Sequence, residues 1–191
     1  MDNINYTIEN LFPTPLYSAM IDNVSDVQAE IGSVINDIVY NTKSSSRYWA
    51  EITSLREDVV TNKHLSTFEK TLDTHLRQYC KELEFDFREY KRKSWFIKTS
   101  LDSHTHVHTH NYDDIAGCYY FQTTGTDGDI FFMAPNHAPS SLCYQKYGDP
   151  VNVQPAVGKL LLFPGWLLHG VKTNMLQSDR ICLAFSINFS R

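Results

Sequence analysis

Two spacings of apolar residues divide the chain. Up to Lys93 they recur every three or four positions, the period of one helix face. Val27, Ile31, Val34, Ile35, Ile38 and Val39 form one run, and Leu65, Phe68, Leu72, Leu76, Tyr79, Cys80 and Leu83 a second. Ser25 stands where the first helix would be capped, and the second is expected to begin near Asn62 or Ser66. Ahead of both, Asn10-Leu11-Phe12-Pro13-Thr14-Pro15-Leu16-Tyr17 is apolar, and its prolines exclude a helix. It is expected as an edge strand or an extended segment laid across a sheet. Between the helices, Asn41–Arg47 reads as a loop, and Trp49, Ile52 and Leu55 as a short irregular or extended stretch.

From Ser94 the apolar runs shorten, fill with β-branched and aromatic residues, and are separated by turn residues. Strands are predicted over 94–100, 104–110, 115–123, 129–134, 150–154, 159–163, 170–173 and 181–189. Gly125-Thr126-Asp127-Gly128 is a turn between two of them, and Pro135–Gly148 reads as a loop over the sheet. This order predicts an α+β, mainly β fold. Its core would be a double-stranded β-helix, or jelly roll, over 94–191, with residues 1–93 as helical support packed on one sheet, all in one domain.

Composition narrows the classes of function. A chain of 191 residues with 42% hydrophobic content can bury a full core. Seventeen basic against 22 acidic side chains leave a net charge of -5, which does not favour nucleic acid or an anionic membrane as partner. The basic run Arg88–Lys93 is interrupted by Glu89 and reads as a solvated linker. Cys80, Cys118, Cys143 and Cys182 show no CxxC spacing, so reduced thiols and a cytoplasmic location are expected. The N-terminus lacks the pattern of a signal peptide, and no apolar run approaches the ~20 residues of a membrane span.

The candidate chemistry begins at Ser103-His104-Thr105-His106-Val107-His108-Thr109-His110-Asn111, with a histidine at every second position. As a strand, this stretch would turn all four imidazoles to one face, as a metal site or as an exposed polar surface. A further ligand is needed from elsewhere. His169 follows the run Gly158–Gly165 and a Pro-Gly turn, in a setting where a satisfied core histidine is the commoner outcome. Arg180 stands eleven residues later at the start of the last strand. Facing inward it would require an anionic partner. A carboxylate-bearing ligand supplies one through paired charge-assisted hydrogen bonds, and Asp179 or Asp149 are the bland alternatives. His64 and His75, beside the second helix, are expected to be incidental.

The order of these features resembles the 2-oxoglutarate and Fe(II)-dependent oxygenases, prolyl-hydroxylase-like. More narrowly, it looks like the small oxygenase family found in marine bacteria and their phages, which would place the protein in a host cytoplasm. The resemblance rests on Leu11-Phe12-Pro13-Thr14-Pro15, Ser94-Trp95, His108-Thr109-His110 and Ile115-Ala116-Gly117-Cys118-Tyr119-Tyr120. It continues through Phe163-Pro164-Gly165-Trp166-Leu167-Leu168-His169-Gly170-Val171 to Arg180. It implies Fe(II) as metal, with 2-oxoglutarate and O2 as co-substrates and release of succinate and CO2. It assigns His108, His110 and His169 as metal ligands, and Arg180 with Tyr120 to the far carboxylate of 2-oxoglutarate. The implied reaction is hydroxylation of a peptidyl side chain, prolyl-type, or of a small molecule.

The departure is the triad. Where the family pattern has His-x-Asp or His-x-Glu, this chain has His108-Thr109-His110. Asp113 or Asp114 could replace His110 as third ligand, or His106 could pair with His108; His104 and His106 could otherwise lie near the metal, contact substrate or be exposed. Two other readings stay open: a three-histidine, cupin-like dioxygenase without 2-oxoglutarate, and a non-catalytic jelly-roll binding protein. The oligomeric state, a homodimer included, is not specified.

Overall fold

The computed structural model describes residues 7, 12–41, 48–135 and 148–190. The readings for 42–47 and 136–147, and with them Cys143, fall outside the described residues, as does the segment before Phe12 apart from residue 7. Among the described residues, eleven strands form two antiparallel sheets. The larger has the order β1-β9-β6-β11-β4-β3, with β1 Tyr17–Met20, β3 Glu51–Ile52, β4 Tyr90–Thr99, β6 Ile115–Gln122, β9 Lys159–Pro164 and β11 Arg180–Phe189. The smaller has the order β2-β5-β10-β7-β8, with β2 Tyr48–Trp49, β5 His104–His108, β7 Ile130–Phe132, β8 Val151–Val153 and β10 His169–Val171. Helices α1 (Val24–Val34), α2 (Val59–Asn62) and α3 (Ser66–Glu82) complete the fold.

The larger sheet is buried on both faces, and strand alternation sorts its side chains into two cores. Phe96, Tyr119, Leu160, Leu162, Leu183 and Phe185 pack with Val27 and Ile31 of α1 and Phe68, Leu72 and Leu76 of α3. Their neighbours Trp95, Ile97, Cys118, Leu161, Phe163 and Cys182 face the other way, with Ile130 and Phe132 of the smaller sheet. This explains why the sequence reads as continuous apolar runs in 115–121 and 160–163. One close approach requires glycine. A Cβ on Gly117 would stand 2.6 Å from the Phe185 ring on the paired strand and 2.5 Å from the Leu161 carbonyl oxygen.

The helical support departs from the sequence reading in three places. Helix α1 starts at Val24, so Ser25 is inside it; Asn23 occupies the cap position and turns its side chain to Thr71 Oγ1 at 2.9 Å. After Val34 the chain tightens into a 3₁₀ turn, Ile35–Asp37, which leaves Ile38 buried and Val39 83% exposed. The run Arg88–Lys93 is not a linker throughout, because β4 begins at Tyr90. The Arg92 side chain is 4% exposed and pairs with Asp58 at 3.0 Å and Glu69 at 2.8 Å. Helix α3 has no cap of its own at Leu65; Glu30 of α1 accepts the Thr67 and Phe68 amides at 2.7 and 2.9 Å instead. Among the described residues no helix is long and apolar enough to cross a membrane.

Candidate metal centre

The histidine stretch does not behave as an ideal strand. Strands β5 and β10 pair with His169 opposite His108 but Val171 opposite Thr105, so two steps on β10 face three on β5. That extra residue is a β-bulge, and it reverses which side the following side chains take. Thr105 is buried and lines the interior, while His106 and Val107 are exposed. His104 and His106 pack edge to face outside the pocket with ring centroids 4.6 Å apart, and Trp49 stacks on His104 at 6.5 Å. After the bulge His108 points inward. The expectation of four imidazoles on one face is therefore corrected: the bulge divides them two and two.

His110 lies beyond the end of β5, held by the turn after β9. Its amide donates to the Gly165 carbonyl at 2.8 Å, and the Gly165 amide donates to the Asp114 carbonyl at 3.2 Å. Only glycine fits there, because a Cβ at 165 would run into the Asp113 carbonyl. His169 opens β10 after a turn in which the Leu167 amide donates to the Pro164 carbonyl at 3.0 Å. The Pro-Gly turn read from the sequence thus places two histidines, one on each side of it.

His108, His110 and His169 each bring a ring nitrogen to within 4.8 Å of the others. Their ring centroids are 4.4 Å (108–169), 5.2 Å (110–169) and 5.4 Å (108–110) apart. Two of the rings are oriented by backbone. Nδ1 of His108 lies 2.8 Å from the His106 carbonyl and Nδ1 of His169 lies 2.8 Å from the Leu167 carbonyl. A carbonyl can only accept, so each Nδ1 carries a proton, and in the neutral ring that leaves the lone pair on Nε2. The donor set fits a divalent cation such as Fe(II). Trp95 stacks on His110 at 5.8 Å and 24°, and Phe163 meets His169 edge to face at 4.7 Å.

Neither reserve carboxylate joins this group. Asp113 accepts from Asn188 at 2.5 Å, with its other oxygen 4.0 Å from His110 Nδ1. Asp114 accepts the Phe189 amide at 2.8 Å. Among the described residues the cluster is three histidines without an acid.

Arg180 is 1% exposed and lines the same pocket as the three histidines. Its partners are not the Asp179 or Asp149 carboxylates. It donates to the carbonyls of Asp127 (3.3 Å) and Gly128 (2.5 Å) and to Thr99 Oγ1 (3.0 Å), and its Nε has no partner among the described residues. Tyr120, Cys118 and Cys182 share the pocket. Burial raises the Tyr120 phenol well above its ordinary value, pushes the Cys118 thiol up, and lifts Cys182 to about 11. All three stay neutral at physiological pH, and no carboxylate is among the described lining residues. The guanidinium is the pocket's one fixed charge among them.

Sequence reasoning did not single out Thr99, Asp127 or Asn174. Thr99 could have been found by alternation, since Trp95, Ile97 and Thr99 must share a strand face. Asp127 is fully buried in the predicted turn, where its carboxylate accepts from the Thr123 hydroxyl at 2.7 Å and the Thr124 amide at 2.7 Å. This fixes the carbonyls that Arg180 uses. Asn174, also fully buried, donates to the carbonyls of Thr99 and Ser178, both at 2.9 Å, and shapes the loop between β10 and β11. Nothing in its local sequence marks it.

Residues 93–186, which include all five candidate residues, match the family model described as "Putative 2OG-Fe(II) oxygenase". No curated protein matches the sequence. Several solved structures share the fold. A Pseudomonas putida prolyl-4-hydroxylase is 12% identical with a TM-score of 0.62, covering 93% of this chain and 94% of that one. HygX from Streptomyces hygroscopicus, with nickel and 2-oxoglutarate bound, is 13% identical with a TM-score of 0.67, covering 93% and 84%. A Trichoplax adhaerens prolyl hydroxylase in complex with a hypoxia inducible factor peptide is 12% identical with a TM-score of 0.64, covering 90% and 82%. By that match, residues 93–186 belong to the 2OG-Fe(II) oxygenases.

Proposed function

We propose that this protein carries out its family's oxygenase chemistry with His108, His110 and His169 as the metal face and with Arg180 and Tyr120 receiving the far carboxylate of 2-oxoglutarate. The observation that carries the reading is the shared pocket: three convergent imidazoles and one buried guanidinium whose Nε has no partner among the described residues. When bound, Fe(II) and 2-oxoglutarate supply the oxidising power to hydroxylate a C–H bond with O2, leaving succinate and CO2. The chain's own residues bind and exclude. Arg180 offers charge-assisted hydrogen bonds to a carboxylate, and Tyr120, neutral at physiological pH, keeps a hydroxyl proton to donate. Phe163, Trp95 and Ile97 keep the pocket apolar around them.

Hydroxylation of a peptidyl side chain, prolyl-type, or of a small molecule follows as the reaction. Both kinds of molecule are seen bound on this fold: the Trichoplax enzyme is in complex with a peptide fragment, and HygX has been seen with hygromycin B bound. Adding 2-oxoglutarate to the Fe(II) protein without oxygen is expected to produce a metal-to-ligand charge-transfer band in the visible spectrum. With oxygen admitted, slow succinate formation should follow even without substrate. Absence of the band would count against the reading.

The lack of a carboxylate in the cluster favours one rival, a three-histidine dioxygenase that does not use 2-oxoglutarate. Such an enzyme has no use for a buried Arg180. Succinate that fails to appear while oxygen is consumed with some other substrate would support it.

A further inference from the structure

The inward face of the larger sheet continues past the metal centre. Strands β4 and β11 are antiparallel partners, so their inward side chains form rows: Arg180 with Thr99, Cys182 with Ile97, Ala184 with Trp95, and Ser186 with Lys93. The first row is the proposed co-substrate anchor, and the third carries the indole on which His110 stacks. One strand step further, roughly 7 Å, the fourth row opens into a second cavity of about 340 Å³. It shares Trp95 and His110 with the metal centre and is otherwise walled by Leu55, Tyr112, Ser186 and Asn111. That volume is within the range of small-molecule sites.

The cavity has two charged side chains, Lys93 and Asp113. The acid is occupied, held by Asn188 on one oxygen and facing His110 with the other. Lys93 is exposed, and none of the ion pairs among the described residues includes it. The next row places Lys91 opposite Asn188 on the same strand face, a second positive side chain beyond Lys93. A ligand entering here meets the side chains of Trp95 and Leu55, an ammonium with no acidic partner among the described residues, and His110 on the far side.

We propose that Lys93 is a specificity-determining residue that pairs with a carboxylate of the substrate, and that this enzyme acts on carboxylate-bearing molecules. The carbon to be hydroxylated would lie about one strand step from that carboxylate. The inference rests on the oxygenase reading above.

The test is an equilibrium titration without oxygen. The Fe(II) and 2-oxoglutarate-loaded full chain is titrated with N-acetylated amino acids and with their carboxamides, while the charge-transfer band is followed for a shift. At least one free acid should shift the band and bind about tenfold or more tightly than its amide, as expected for loss of one charge-assisted contact. If the anion comes from an acidic side chain instead of a free α-carboxylate, the amides of N-acetylaspartate and N-acetylglutamate will keep the shift. Lys93→Ala should remove that tenfold preference and Lys93→Arg should restore it; the band of each variant before titration is its folding control. Equal binding of probes with and without any carboxylate, no shift by any probe, or an undiminished preference for the carboxylate-bearing probes in Lys93→Ala would overturn the proposal while leaving the oxygenase reading intact. A wild-type protein that forms no band at all would remove both.

Discussion

The two sheets divide the work of the molecule unequally. The larger has ten-residue strands, helices on one face and the pocket on the other, and nearly unbroken registers. The smaller has strands of two to five residues, an outer face carrying exposed Trp49, His106 and Val107, and a bulge in the middle of its histidine strand. His108 and His169 come from the smaller sheet, Arg180 and Tyr120 from the larger. Long strands locked on both faces position an anchor well, while short irregular ones can bend to bring several ligands to one point. If this contrast holds, losses in the smaller sheet should read out mainly as lost chemistry, and losses in the larger as lost stability.

The largest effect is expected in the smaller sheet. His169→Ala should abolish stoichiometric iron binding and all 2-oxoglutarate turnover, while circular dichroism and the unfolding midpoint stay close to wild type. Metal analysis of the purified variant decides it, and a full complement of iron would remove His169 from the ligand set. The opposite pattern is expected for Phe185→Ala. That ring is fully buried between the larger sheet and α3, and its loss should cost about 3–5 kcal/mol by denaturant unfolding. Iron should still bind to the folded fraction. A Phe185→Ala protein of wild-type stability would show that the helix-side core is not where the fold's stability resides.

Arg180→Ala crosses the division, since it alters chemistry from the larger sheet. Iron should remain bound, but 2-oxoglutarate affinity should fall by about 1.5–3 kcal/mol, the range for hydrogen bonds to a charged group. Titration of the charge-transfer band measures this. Unchanged affinity would leave the buried guanidinium as a structural tie between Thr99 and the Asp127 turn.

The division also explains what was legible in the sequence. The larger sheet announces itself in apolar runs, and seven of the strands predicted from Ser94 onward differ from the observed bounds by two residues or fewer at each end. The exception is β4, whose first four residues, Tyr90–Lys93, are polar or basic: Arg92 pairs with two acids and Lys93 lines the cavity beside His110. That His108, His169 and Arg180 belong together was legible through spacing and resemblance, and the structure brings them to one pocket. The inward-facing pair was not derivable from periodicity, because a bulge costs one residue and carries no local signal in His104–His110. Gly165 is the informative exception: its effect on His110 is steric and only visible once Asp113 is known to lie against it.

The smallest effect tests whether the helical side is scaffold alone. Glu30 lies on α1, and its two carboxylate oxygens accept the Thr67 and Phe68 amides, the free donors at the start of α3. Leu65, at the cap position, has no side-chain acceptor to do this locally. The acid thus joins two helices and stands in for a missing cap, and also lies near the dipole end that favours negative charge. Glu30→Ala should cost about 1 kcal/mol, as for loss of an ordinary cap. Glu30→Gln keeps one acceptor oxygen and should recover part of that. Neither should change iron content or 2-oxoglutarate affinity, because α1 and α3 contact only the face of the larger sheet turned away from the pocket. A shift in the charge-transfer band with Glu30→Ala would mean that the helix layer reaches the metal centre through the sheet, and that the division between scaffold and chemistry is drawn one layer too far inward.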